Sequence, residues 1–146
     1  MKRILVVDDD EAIRILYAEE LADEGYEVIT NDGQSQIMTL IKEKHPDVIV
    51  MDIRLGKHSG LDLLQDIRNR YYNLPVILCT AYSTYKYDLK SIAADYYVVK
   101  SSNLSELKAK IKWALESGIS IQSEVNHSER KKTKPVIPVE QTRLQW

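Results

Sequence analysis

The sequence predicts a doubly wound α/β domain whose five parallel strands lie in the order 2-1-3-4-5. Three observations carry that prediction. Short apolar runs alternate five times with amphipathic stretches, joined by brief links rich in Gly, Pro, Asn and Asp, the pattern of consecutive βα units. The run at residues 48–51, Val-Ile-Val-Met, is apolar throughout rather than alternating, as suits a strand covered on both faces. Right-handed crossovers then wind helices onto both sides of the sheet, and in the favoured order the first and third strands meet at a switch point.

Each element has a local reason. Residues 2–7 form a β-rich run ending in Asp8-Asp9-Asp10. Asp9 or Asp10 caps the first helix, and Asp10 and Glu11 suit its positive end. Ile13, Leu16, Tyr17 and Leu21 form its apolar face, and Gly25 follows as a C′ residue. Residues 26–30 make a second strand, Asn31-Asp32-Gly33 a turn, and residues 34–44 a helix with Ile37, Leu40 and Ile41 inward. His45-Pro46 ends that helix. The central strand leads to Asp52. Residues 61–70 are helical through Leu61, Leu64 and Ile67; Asn73-Leu74-Pro75 turns the chain into a fourth strand, 76–80. Residues 83–94 form a tyrosine-rich fourth helix and 96–100 the fifth strand. Ser102 or Asn103 caps the last helix, with a capping-box spacing from Asn103 to Glu106. Its inner face is Leu104, Leu107, Ile111 and Leu115, and Gly118 is expected to stop it.

Composition sets the class. The chain has 146 residues, 44% hydrophobic and 29% charged, with net charge −2, which points to a soluble globular domain plus a tail. Residues 1–117 hold fifteen Lys and Arg against nineteen Asp and Glu, a net of −4, whereas 118–146 hold five against three, a net of +2. The shift divides a domain at 1–118 from a basic, proline-containing tail at 119–146, read as a linker or docking segment. No apolar run approaches a membrane span, and the short apolar start with no cleavage site does not read as a signal peptide. The single cysteine, Cys79, reads as core packing, and the cytoplasm is the expected location. The acidic balance argues against nucleic acid as a direct partner.

The ends of the predicted strands bring chemistry together. The first supplies Asp8 and Asp9, the third Asp52, the fourth Thr80 and the fifth Lys100. Three carboxylates on one rim oppose one another's ionisation. Lys100 offsets one charge, and a divalent cation such as Mg²⁺, with its preference for oxygen ligands, suits the rest. No Cys/His cluster supports structural zinc. Such a rim fits phosphoryl transfer onto an aspartate nucleophile.

The sequence here resembles the receiver domain of two-component response regulators. The matching residues are Ile4-Leu5-Val6-Val7-Asp8-Asp9-Asp10, Asp52 with Gly60 eight residues on, Thr80-Ala81, and Tyr97-Val98-Val99-Lys100. The resemblance covers about residues 1–117 and implies a flavodoxin-like fold with Asp52 as phosphoacceptor. It further implies Mg²⁺ held by Asp8, Asp9, Asp52 and the Arg54 backbone carbonyl, and Thr80 and Lys100 on the phosphoryl group. Thr80 and Tyr97 would be the switch. The implied partners are a histidine kinase or phosphotransfer protein upstream and an effector on the face of the fourth helix, fifth strand and fifth helix. A phosphorylation-dependent dimer is left open. The reading is of a stand-alone switch of the chemotaxis-regulator kind, a phosphoacceptor and not an enzyme. The alternatives are an aspartyl-nucleophile phosphohydrolase and a silent scaffold; Arg54, where the former class carries an aspartate, weighs against it.

Two departures from the family pattern stand out. Ser101 follows Lys100 where many members have a cis proline, which leaves the isomer of that bond open. Gly56 stands four residues after Asp52 in place of the usual proline, and a looser loop is expected. Arg54 and Tyr82 are bulky and are expected to shield a phosphoryl group from water.

Overall fold

The computed structural model describes residues 1–34, 36–81 and 93–128, with 118–128 described by backbone alone. The elements run β1 (Arg3–Val7), α1 (Glu11–Asp23), β2 (Glu27–Asn31), α2 (Ile37–Lys44), β3 (Val48–Met51), β4 (Arg54–Leu55), β5 (His58–Ser59), α3 (Gly60–Arg70), β6 (Val76–Thr80), β7 (Tyr96–Val99) and α4 (Ser105–Ser128). The predicted fourth helix, residues 83–94, lies almost wholly outside the described residues, as does the tail from 129. The chain divides into two compact units, Met1–Leu115 and Glu116–Trp146; the sheet and its site belong to the first.

The main sheet is parallel, in the order β2-β1-β3-β6-β7, which is the 2-1-3-4-5 order read from the sequence. Alternation along each strand splits the core in two. Ile4, Val6, Val48, Val50, Ile77, Cys79 and Val98 face Tyr17 and Leu21 of α1 and Leu107, Ile111 and Ala114 of α4. Leu5, Val7, Ile49, Met51, Val76 and Leu78 face Ile37 and Ile41 of α2 and Leu61, Leu64 and Ile67 of α3. All four residues of β3 are buried, so its unbroken apolar run is what a central strand requires.

Several local expectations shift. Asp10 is the α1 cap, its carboxylate accepting from the Ala12 and Ile13 amides, but Leu16 stays 40% exposed because Tyr17 and Leu21 fill the space under the helix. α2 begins at Ile37, later than expected, since the residue before it, Gln36, is left-handed (φ 61°) and offers no side-chain cap. The capping box of the last helix does not form: Ser101 Oγ accepts from the Asn103 amide at 3.2 Å, and Glu106 lies 3.6 Å from Lys110 instead. Gly118 does not stop that helix, whose backbone continues to Ser128; a glycine weakens a helix by only about 1 kcal/mol. Trp113 is 50% exposed. The loop after Asp52 is a small antiparallel hairpin, Arg54 opposite Ser59 and Leu55 opposite His58, rather than a loose connection. No peptide bond among the described residues is cis, so Lys100–Ser101 is trans.

Candidate functional site

Four strand ends build one acidic cup. Parallel pairing sets β1 beside β3 with Val7 opposite Met51, so the next residues, Asp8 and Asp52, emerge together. The Asp52 amide donates to the Val7 carbonyl at 2.9 Å, and the Asp8 amide to Asn31 at 3.1 Å, extending the ladders past their last residues. β6 ends at Thr80, opposite Val99; the Lys100 amide donates to the Thr80 carbonyl at 2.7 Å, and this delivers the lysine to the same rim. Asp8, Asp52 and Thr80 are buried polar residues, 2%, 8% and 1% exposed.

Carboxylate oxygens of Asp8, Asp9 and Asp52 all lie within 4.8 Å of one another. The Lys100 ammonium donates to Asp8 Oδ2 at 2.7 Å and to Asp52 Oδ2 at 3.0 Å. Asp8 Oδ1 accepts from the Asp10 amide at 2.9 Å, and Asp9 Oδ2 from the Gly56 amide at 2.9 Å. Burial raises the proton affinity of Asp52 above the ordinary 3.8, outweighing the hydrogen bond and charge of Lys100, which pull it down. Lys100 also shifts upward: burial disfavours its charge, but the bonds to Asp8 and Asp52 win. One ammonium against three carboxylates leaves uncompensated negative charge at a largely buried site, which is unfavourable unless a cation shares it. The donor set is oxygen only, as hard divalent cations prefer. The residues therefore fit Mg²⁺.

Gly60 holds the loop against the cup. A Cβ at this position would collide with the Asp52 carbonyl oxygen and sit 2.9 Å from the Ile53 Cα and carbonyl oxygen, so the start of α3 approaches the backbone of Asp52 itself and only glycine fits. Tyr97 is partly buried against the core under β6 and β7. Arg54 is exposed, and its amide lies 3.4 Å from Asp52 Oδ1. Tyr82 falls outside the described residues.

The sequence-predicted set thus converges: Asp8, Asp9, Asp52 and Lys100 are in contact or nearly so, and Thr80 lies one strand away. Other contacts went unread. Arg14 Nη1 donates to the Asp8 carbonyl oxygen at 2.7 Å; its place four residues after the helix cap, on the turn over the strand end, was the available signal. Tyr17 Oη and Cys79 Sγ lie 3.4 Å apart beneath the site, and burial pushes the Cys79 thiol up to about 11, so it stays a thiol. The contact between Gly56 and Asp9 had no sequence signal.

Fold and site together define a doubly wound α/β protein with a cation-ready acid cup at its switch point. A family profile described as the response regulator receiver domain matches residues 4–112, and the chain belongs to that family. It is similar to the response regulator TrrA of Thermotoga maritima, solved in complex with Mg²⁺ and BeF, at 46% identity and TM-score 0.76, covering 79% of this chain and 100% of TrrA. A second structure holds TrrA in complex with the histidine kinase ThkA; the likeness to it is 45% identity and TM-score 0.68, over 79% of this chain and 99% of that one. The regulatory protein AtoC of Escherichia coli is 32% identical over 129 residues, 87% of this chain and 28% of AtoC. The chain spans about half or less of the curated relatives it matches. Among the described residues no helix is long and apolar enough to cross a membrane.

Proposed function

We propose that the chain is a phosphorylation-activated switch that accepts a phosphoryl group on Asp52 from a histidine kinase or phosphotransfer protein. The carrying observation is the cup itself: three carboxylates within 4.8 Å, with one ammonium bonded to two of them. TrrA, similar over its whole length, is seen both with Mg²⁺ and BeF and with a kinase, which supports the same roles here.

A carboxylate oxygen of Asp52 attacks the phosphorus of a phosphohistidine; the phosphorus–nitrogen bond breaks and the imidazole leaves with the electron pair and takes up a proton. Burial makes Asp52 more basic than an exposed carboxylate, and so a better nucleophile. Asp8, Asp9, Asp52 and the Arg54 carbonyl would hold Mg²⁺, which when bound neutralises phosphoryl oxygens. Lys100, already on Asp52, meets the added negative charge, and the Thr80 hydroxyl donates to one phosphoryl oxygen. Movement of Thr80 and an inward turn of Tyr97 then reshape the face of β7 and α4, where an effector binds. That face carries Val99, 39% exposed, and Trp113, 50% exposed, with the Lys110 ammonium 5.0 Å from the Trp113 ring centre and Tyr96 6.3 Å away. The domain is a phosphoacceptor; its own catalysis is limited to self-phosphorylation from small donors and slow dephosphorylation.

Incubation with acetyl phosphate and Mg²⁺, followed by intact-protein mass measurement, tests the reading. A gain of one phosphoryl group, absent in Asp52→Asn and without Mg²⁺, is expected. Steady turnover of an exogenous phosphomonoester would instead favour a phosphohydrolase, and no gain at all a silent scaffold.

A further inference from the structure

Of the three carboxylates in the cup, Asp9 is the one not fixed by burial and not held by Lys100: it is exposed, and among the described residues its bond to a neighbour is the one from the Gly56 amide at 2.9 Å. That amide belongs to the same planar peptide group as the Leu55 carbonyl. The Leu55 carbonyl oxygen accepts from the side-chain amide of Gln34, Nε2, at 2.8 Å. One peptide unit is therefore gripped at both ends, by Asp9 on its N–H and by Gln34 on its oxygen. A donor on the oxygen polarises the peptide and strengthens its N–H as a donor, and it fixes the plane so that the N–H aims at Asp9.

The grip is built in. Gly56 has φ 63°, and a Cβ there would come within 3.0 Å of Gln34 Nε2. A proline at this position would have no N–H to give. Gly33, at φ 84°, admits Leu55 so closely that a Cβ would lie 2.9 Å from Leu55 Cδ2. Gln34 is itself tethered: its backbone amide donates to Asp32 Oδ1 at 2.9 Å, and the Gly33 amide to Asn31 Oδ1 at 2.7 Å. Asn31 in turn accepts from the Asp8 amide. The bonds close a ring that leaves the cup at Asp8 and returns to it at Asp9.

We propose that Gln34 is a positioning residue for cation binding, acting on Asp9 through the Leu55–Gly56 peptide; this rests on the phosphoacceptor reading above. Outer-layer partners of metal ligands are worth about tenfold or more in metal affinity, and Gln34, one peptide further out, is expected to account for about fivefold to tenfold.

The test is calorimetric titration of Mg²⁺ into wild type, Gln34→Leu and Gln34→Glu, beside the Mg²⁺ dependence of acetyl phosphate labelling. Both variants should bind Mg²⁺ at least fivefold more weakly, and extra Mg²⁺ should recover their labelling rate, with melting in EDTA unchanged. A loss of less than fivefold in either variant overturns the assignment of Gln34. So does a labelling defect that saturating Mg²⁺ leaves in place. If wild type binds Mg²⁺ but is never labelled, the phosphoacceptor reading fails, while the Mg²⁺ titration still decides the role of Gln34.

Discussion

Replacing Asp52 with asparagine is expected to stabilise the metal-free protein. Asp8, Asp9 and Asp52 have oxygens within 4.8 Å of one another, at which each acid neighbour repels Asp52 by about 3.5 kcal/mol if the effective dielectric constant is about 20. Solvent screening cuts that figure roughly in half for exposed Asp9. Lys100, 3.0 Å from Asp52, contributes an attraction of about 5.5 kcal/mol on the same footing. Repulsion and attraction nearly cancel, so the sign falls to desolvation of the buried carboxylate, which is unfavourable. The raised proton affinity of Asp52 has the same ordering, burial ahead of Lys100. In the variant Lys100 keeps its 2.7 Å bond to Asp8. A net gain of about 1–2 kcal/mol, or about 3–6 °C in melting temperature, is expected. The pH dependence has a definite sign. A carboxyl whose folded pKa is raised stabilises the fold below its unfolded value, and that contribution is lost as pH rises through the folded value. At neutral pH wild type has lost it, so the advantage of Asp52→Asn is widest there and closes on acidification through the raised Asp52 pKa. Thermal melts in EDTA across the acid-to-neutral range measure this. An Asp52→Asn protein that melts below wild type at neutral pH, or an advantage that does not narrow in acid, would refute the reasoning.

Two further outcomes are expected. Gly60→Ala drives a methyl group into the Asp52 carbonyl oxygen and against Ile53; the forced shift should cost about 1–3 kcal/mol in urea unfolding and slow labelling as well, since the displaced backbone is that of the phosphoacceptor. Arg54→Ala with Tyr82→Ala should shorten the phosphorylated lifetime several-fold, followed by loss of the added mass after the donor is removed; an unchanged lifetime would show that neither side chain shields the phosphoryl group.

The fold was legible because hydrophobic pattern carries it. Val48–Met51 could be buried on both faces only at the centre of a parallel sheet, and βα alternation with right-handed crossovers left few ways to arrange the rest. That order alone placed Asp8, Asp9, Asp52, Thr80 and Lys100 on one rim, since each follows or ends a strand. Local bonding defeated the finer expectations. Whether Glu106 or Ser101 takes the Asn103 amide, and whether a helix passes Gly118, turns on differences near 1 kcal/mol that sequence pattern does not resolve. The grip of Gln34 and Asp9 on one peptide joins residues 21 and 47 positions apart, in pairs that no periodicity links. Strand order, core and acid cup were determined by the sequence, because burying apolar surface admits few solutions. The aim of each carboxylate was decided by tertiary structure, because backbone N–H groups carry no sequence mark until the chain brings them together.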